Sequence, residues 1–136
     1  MAKRKIAVIG VGKIAQDQHL PVIDASDDFE LAATVSTRGV GHGSVPVFKT
    51  PAELYAAMPD VSLVSICTPP GIRHTYVREA LDAGKDVMME KPPTTTISEL
   101  DDLIAHARRL DRVLFQTWHS QYNAAVERAH DILAVE

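Results

Sequence analysis

Gly10-Val11-Gly12-Lys13-Ile14-Ala15 follows directly after the apolar run Ile6-Ala7-Val8-Ile9, and this junction decides the fold. The apolar run predicts a buried strand, and the small residues after it predict a tight turn that leads into a helix. Gly10 allows the sharp turn, Gly12 leaves room for a pyrophosphate, and Ala15 lets the helix pack closely on the strand. The free N–H groups of the helix would hold the phosphates. The sequence therefore predicts a dinucleotide-binding turn, and the alternative is a purely structural glycine turn.

Length and composition restrict the classes of protein that this chain can belong to. Its 136 residues suffice for one domain with a single core. The formal net charge of −4 and the aromatic content of 5% do not favour nucleic acid as a partner. No run approaches the roughly 20 apolar residues of a membrane span, and the first residues lack a signal-peptide pattern. We therefore expect no membrane partner and a cytoplasmic location, with the single Cys67 as a buried thiol.

Apolar runs of strand length recur along the chain and are separated by segments of helical character. The strand candidates are residues 6–9, 31–35, 45–48, 63–67, 86–89 and 113–117. Capping boxes at 50–53 and 96–99 predict two helix starts, and a third helix is predicted over 71–83, ended by Gly84. Pro21 is expected to break or restart the first helix. This alternation predicts an α/β fold with a doubly wound parallel sheet that helices cover on both faces.

The residues that follow the second strand candidate bear on the choice of cofactor. In a dinucleotide-binding fold, an acidic residue at this place bonds the adenosine ribose of NAD. Ser36, Thr37 and Arg38 stand there instead, and an arginine offers a charge-assisted fork to phosphate oxygens. We therefore predict NADP as the cofactor, with NAD possible. The alternative is that Arg38 is a solvent-exposed loop residue in a site that accepts both.

Two further motifs follow strand candidates, at the edge where open parallel sheets bind their ligands. Thr68-Pro69-Pro70-Gly71-Ile72-Arg73-His74 follows the fourth candidate, and Glu90-Lys91-Pro92-Pro93 follows the fifth. Together with the glycine turn, this ordered combination resembles the glucose-fructose oxidoreductase/inositol dehydrogenase (Gfo/Idh/MocA) family over essentially the whole chain. Within that family, these motifs and residues 11–15, 17–21 and 117–120 look most like the aldose 1-dehydrogenases that act on L-arabinose and D-galactose.

The resemblance implies an enzyme that transfers a hydride from the anomeric carbon of an aldose to nicotinamide and leaves a lactone. It implies that Lys91 is the catalytic residue and that Glu90 orients Lys91 by pairing with it. His119 and Trp118 resemble substrate-binding residues, although a packing role for His119 stays open. The cofactor-binding residues predicted from the glycine turn, the second strand and the resemblance are Gly10, Gly12, Lys13, Ile14, Ser36, Thr37, Arg38, Thr68, Pro69, Pro70, His74, Glu90 and Lys91.

Other histidines have less defined expectations. His74 has the alternative of a helix-surface residue, and His19 could face the cofactor or the substrate. His42, His106 and His130 have no metal-ligand spacing, so we predict no metal site.

Members of the family carry a second α/β domain, whereas this chain has 136 residues. The resemblance implies a Rossmann-type NAD(P)-binding domain over residues 1–119 and a linker helix over 120–136 toward a substrate and oligomerisation domain that is absent here. Apolar residues recur along that helix at helical spacing, so we expect self-association through it, and cofactor binding without turnover. The alternatives are a non-catalytic NAD(P)-binding regulator of a sugar pathway and a family dehydrogenase for another polyol or imine.

Overall fold

The computed structural model describes residues 2–134, which contain a six-stranded parallel sheet flanked by helices. The strands are β1 (Arg4–Ile9), β2 (Phe29–Val35), β3 (Val47–Phe48), β4 (Leu63–Ile66), β5 (Asp86–Met89) and β6 (Leu114–Gln116). They lie in the order β3-β2-β1-β4-β5-β6, and every neighbouring pair is parallel. The predicted doubly wound sheet is confirmed, and its topology reverses between β1 and β4.

The strands and their predicted runs differ mainly at the ends. β1 begins at Arg4 because two charged residues extend the strand beyond the buried run. Arg4 pairs with Asp86 at 2.8 Å, and Lys5 pairs with Asp60 at 2.5 Å. Polar side chains therefore extend β1 at its amino end, which is less buried than the rest of the strand. Apolar runs thus mark the buried part of a strand better than its full length.

Helical segments connect the strands. They are a π-helical turn (Ala15–His19), α1 (Leu20–Asp24), α2 (Pro51–Ala57), α3 (Pro70–Asp82), α4 (Ile97–Arg109), a 3₁₀ turn (His119–Tyr122) and α5 (Ala124–Leu133). Both predicted capping boxes are present, with Thr50 accepting from the N–H of Glu53 and Thr96 from that of Glu99. No helix within residues 2–134 is long and apolar enough to cross a membrane.

Of the two outcomes expected at Pro21, a break or a restart of the first helix, the structure shows the restart. The helix passes through the π-helical turn and restarts as α1 with Pro21 in its first turn, where the missing N–H does least harm. A π turn widens the helix by one residue and is often found at functional sites. Nothing in the sequence pattern distinguished it from an ordinary α-helix.

Alternate residues of β1 divide the core between the two faces of the sheet. Ala7 and Ile9 pack in the cluster that α2, α3 and α4 cover, whereas Ile6 and Val8 pack against the π turn and α1. On this second face the expected helical cover is incomplete, because α5 buries none of its residues. A mainly apolar groove of about 470 Å³ remains there within the described residues.

Candidate functional site

The two glycines of the turn after β1 meet different surroundings. Gly10 has φ +91°, and a Cβ on it would lie 2.9 Å from both Cγ2 and the main-chain nitrogen of Thr68. Gly10 therefore has to be glycine for the turn to pack against the end of β4. A Cβ on Gly12, by contrast, would meet nothing within 4 Å. The absence of a side chain at Gly12 leaves open space where a ligand can approach the main chain.

A cavity of about 430 Å³ opens beside this turn, at the carboxyl ends of β1, β2 and β4. Its volume lies in the range of small-molecule and cofactor sites. The predicted residues that line it are Gly10, Gly12, Lys13, Ile14, Ser36, Thr37, Arg38, Thr68 and Pro69. The fold thus brings the glycine turn, the segment after β2 and the segment after β4 to one cavity.

Sequence reasoning missed several residues of the cavity wall. Ile72 and Tyr76 on α3 supply apolar surface, and Lys49, just after β3, adds a cation to Lys13 and Arg38. β3 is only two residues long, so the short predicted run that contains it gave little indication that the next residue lines a cavity. The signal that could have identified Lys49 is its place at the carboxyl end of β3. β3 pairs with β2, so Lys49 lies next to the segment that contains Arg38.

The chemistry of the wall fits a phosphorylated ligand. Arg38 and Lys49 are exposed cations, and the lining residues include no Asp or Glu. The hydroxyl oxygen of Thr68 is buried and has no hydrogen-bond partner among the residues that the structure describes. Ser36 is held in place because its Oγ accepts from the N–H of Val40 at 3.2 Å.

Glu90, at the end of β5, is 6% exposed and is the centre of a buried network. Its carboxylate accepts from Thr117 Oγ1 at 2.8 Å, from His19 Nε2 at 3.1 Å and from the main-chain N–H of Lys91 at 3.0 Å. Burial opposes ionisation of Glu90, but these hydrogen bonds prevail and lower its pKa below the ordinary value. Glu90 is therefore an ionised acceptor at neutral pH.

The expected pairing of the Glu90 and Lys91 side chains is wrong. The carboxylate of Glu90 bonds the main chain of Lys91, while the Lys91 side chain is exposed. The physical reason is that fixed internal donors on Thr117, His19 and the main chain already surround the buried carboxylate. Glu90 can still position Lys91, but it does so through the backbone.

His19 lies in the interior, with both ring nitrogens engaged. Because Glu90 only accepts, Nε2 of His19 is assigned as the donor, and Nδ1 then accepts from Ser65 Oγ at 3.0 Å. Ser65 is also 3.6 Å from the sulfur of Cys67, whose pKa is raised by burial to about 11. Cys67 is the buried free thiol that the sequence predicted.

The structure brings His74 to a different partner from the predicted one. Its Nε2 lies 2.8 Å from Oδ2 of Asp102 on α4, and Arg78 bonds the same carboxylate at 2.6 Å. His74 does not line the cavity, so the helix-surface alternative describes its position. A cofactor contact by His74 stays a prediction that this geometry does not support.

The remaining predicted residues lie outside the cavity wall. Pro70 begins α3, Lys91 is exposed after β5, and Trp118 is 57% exposed after β6. The side chain of His119 lies outside the described part of the structure. Among residues 2–134, His, Cys, Asp and Glu side chains form no group of three or more that could hold a metal ion.

A doubly wound parallel sheet with a two-glycine turn at its topological switch point defines the Rossmann class of NAD-binding domain. Residues 4–117 match the Gfo/Idh/MocA family model, described as an oxidoreductase family with an NAD-binding Rossmann fold. The chain belongs to this family, as the motifs predicted.

Its relatives include several sugar dehydrogenases. It is 42% identical to the galactose 1-dehydrogenase of Pseudomonas fluorescens over 95 residues, covering 70% of this chain and 31% of the relative. It is 32% identical to the D-glucoside 3-dehydrogenase of Escherichia coli over 126 residues, covering 87% of this chain and 35% of that relative. The chain thus spans about a third of the length of these relatives.

Two solved structures of oxidoreductases are also similar to this chain. The D-galactose-1-dehydrogenase from Rhizobium etli matches with a TM-score of 0.91 and 43% identity, covering 99% of this chain and 43% of that one. A 3-ketoreductase from Actinomadura kijaniata, solved with TDP-benzene and NADP, matches with a TM-score of 0.84 and 28% identity, covering 98% and 44%.

Proposed function

We propose that this chain is the NADP-binding part of an aldose 1-dehydrogenase, which oxidises the anomeric carbon of a sugar of the galactose or arabinose type. The observation that carries the proposal is the open space at Gly12, which faces a cavity lined by three cationic residues, Lys13, Arg38 and Lys49, and by no carboxylate. The similarity to two galactose 1-dehydrogenases, at 42% and 43% identity, supports the choice of sugar.

In this proposal the cofactor lies along the cavity, and different parts of the cavity wall bind its different groups. The main chain of Gly12, Lys13 and Ile14 binds the pyrophosphate, because the turn presents free N–H groups there. Ser36, Thr37 and Arg38 bind the 2′-phosphate together with Lys49, since cations and hydroxyls suit phosphate oxygens. Thr68 and Pro69 line the path toward Lys91. NAD would bind the same cavity more weakly.

Lys91 is the proposed catalytic residue. Its ammonium would donate a hydrogen bond to the anomeric oxygen and stabilise the negative charge that develops there as the hydroxyl proton passes to solvent water. The bound cofactor supplies the hydride acceptor, and the sugar becomes a lactone. Glu90 fixes the main chain of Lys91, and His119 and Trp118 after β6 are proposed to contact the sugar.

The full protein would contain more than this chain. Residues 1–119 are proposed to be the cofactor-binding domain, and 120–136 a linker helix toward a substrate domain. The absence of buried residues on α5 is consistent with a helix whose apolar side awaits a partner. Without that domain, the 136-residue chain is expected to bind cofactor and to oxidise no sugar.

A direct experiment separates this proposal from the regulator of the same fold. NADPH and NADH are titrated into the 136-residue chain by cofactor fluorescence, and the full-length protein is assayed for NADPH formation with D-galactose and L-arabinose. Cofactor binding together with aldose-dependent NADPH and lactone formation supports the dehydrogenase. Tight cofactor binding without turnover of any aldose would favour a regulator.

A further inference from the structure

Arg73, near the start of α3, is 2% exposed although its side chain carries a charge. Its Nη1 donates to the main-chain carbonyls of Glu90 and Pro92, and its Nη2 donates to that of Thr68. One guanidinium thus bonds the main chain on both sides of Lys91 and a residue of the cavity wall. No sequence pattern singled out Arg73, which lies between the prolines and His74 of the segment after β4.

The surroundings of Arg73 are costly for a cation. Burial lowers the pKa of Arg73, although the nearby Glu90 carboxylate favours the charged form. The Nε atom is buried without a hydrogen-bond partner in the structure, and the positive end of the helix dipole is close. An apolar side chain would fill this volume without these penalties. What the guanidinium adds is therefore its three bonds to carbonyl groups.

These bonds complement the bond from Glu90. Residues 90–92 are held through two carbonyls by Arg73 and through the N–H of Lys91 by the Glu90 carboxylate. The same planar fork also holds the main chain of Thr68, a residue of the cavity wall. The separation between Lys91 and the cavity wall is thus set by one rigid group.

From this geometry we infer that Arg73 is a positioning residue, which fixes the main chain of Lys91 relative to the cofactor cavity. The inference rests on the proposed catalytic function of Lys91. Arg73 itself touches neither the sugar nor the reacting atoms. It acts through the carbonyls of Thr68, Glu90 and Pro92.

The test compares Arg73→Met and Arg73→Lys with a matched control, Arg78→Met, in the full-length protein. Arg78 is on the same helix but bonds Asp102 at the surface, so its loss leaves the Lys91 segment untouched. We expect Arg73→Met to lower kcat by about 100-fold, because small displacements of a catalytic group have effects of this size. Arg73→Lys keeps part of the hydrogen bonding, so its kcat should lie between those of wild type and Arg73→Met. Arg78→Met should keep the wild-type kcat.

Two further measurements separate positioning from general stability. Added guanidinium ion, below the concentration that unfolds the protein, should raise the kcat of Arg73→Ala but not that of the Arg73→Ala/Lys91→Ala double variant. In the 136-residue chain, the amide proton of Lys91 should exchange faster with solvent in Arg73→Lys than in wild type, while the amides of α4 stay protected.

The outcomes distinguish this inference from the proposed function. If Lys91→Ala lowers kcat but folded Arg73→Met does not, the positioning function is wrong and the proposed chemistry stands. If Arg73→Met fails to fold, Arg73→Lys decides: wild-type kcat despite faster exchange at Lys91 overturns the inference. Wild-type turnover in Lys91→Ala overturns the proposed function and the inference together.

Discussion

The carboxylate of Glu90 lies 3.1 Å from Nε2 of His19, which joins the end of β5 to the helix that follows the glycine turn. Both side chains are buried, and the same carboxylate bonds the main chain of Lys91. The proposed catalytic segment is therefore fixed to the cofactor-binding half of the sheet by a polar contact in the interior.

This contact makes the stability of the domain depend on pH. The folded state lowers the pKa of Glu90 below its ordinary value of 4.5, so its contribution is complete above that pH. It is lost as the pH falls through the lower, folded-state pKa. Glu90→Gln should reduce the free energy of unfolding by about 2 kcal/mol at neutral pH, because a charge-assisted network is lost.

Urea unfolding of wild type and Glu90→Gln at several pH values checks this prediction. The difference between the two proteins should shrink as the medium becomes more acidic than the ordinary pKa of Glu90. Glu99→Gln is a useful comparison, because Glu99 is a half-buried capping residue with a lowered pKa of its own. A pH-independent difference for Glu90→Gln would contradict the linkage.

The two glycines of the turn should respond in opposite ways to alanine. Gly10→Ala places a Cβ 2.9 Å from Thr68 at a φ of +91°, so we expect a large loss of stability, of about 2 kcal/mol or more. Gly12→Ala meets no neighbour and should leave the melting temperature unchanged or slightly higher, while NADPH affinity falls. Thermal unfolding and NADPH titration of both variants measure the contrast. Equal NADPH affinity in wild type and Gly12→Ala would show that no ligand approaches Gly12.

The preference between cofactors should depend on two cations in the cavity. Arg38→Asp is expected to reverse the preference for NADP, and Lys49→Gln to weaken it, because each removes a charged donor from the 2′-phosphate site. A phosphate contact of this kind contributes about 1.5 to 3 kcal/mol, which is roughly tenfold to hundredfold in affinity. Dissociation constants for NADPH and NADH provide the measurement.

Arg4→Gln is the control for the cofactor experiment, because Arg4 is an exposed arginine at the amino end of β1, away from the cavity, and it pairs with Asp86. It should change neither dissociation constant. Equal affinities for the two cofactors in wild type, unaltered by Arg38→Asp, would refute the assignment of Arg38.

The exposed apolar side of α5 should make the 136-residue chain associate. Ile132 and Leu133 are 60% and 78% exposed, and no residue of α5 is buried. Replacing both with glutamate removes the apolar surface and should shift the chain toward the monomer. Sedimentation at several concentrations tests this prediction, and a wild-type chain that is monomeric throughout would contradict it.

Sequence patterns were sufficient for the architecture but only partly so for the site. The strand runs, the capping boxes at Thr50 and Thr96 and the turn at Gly10 are local signals, and the structure contains each of them. The cavity residues near Gly12 and Arg38 were also predictable, because parallel strands bring their carboxyl ends to one edge.

The partners of buried polar groups could not be predicted in this way. The bonds of Glu90 to His19 and Thr117 span 71 and 27 residues, and no periodicity in the chain encodes them. The fork of Arg73 is of the same kind, since its acceptors are main-chain carbonyls that carry no residue-specific signal. One sequence signal of a special function for Arg73 was present. Arg73 is a cation close to the start of a helix, where the helix dipole disfavours positive charge.

The most direct test of the proposed function is the rate of aldose-dependent NADPH formation by the full-length protein and its Lys91→Ala variant. We expect wild type to oxidise D-galactose or L-arabinose to a lactone. Lys91→Ala should lower kcat by about 10² to 10⁴-fold, the effect of losing a group that stabilises charge on the reacting oxygen. NADPH affinity should change little, since the Lys91 side chain does not line the cofactor cavity. A Lys91→Ala variant that keeps the wild-type rate, or a full-length wild type that binds NADPH but oxidises no aldose, would contradict the account.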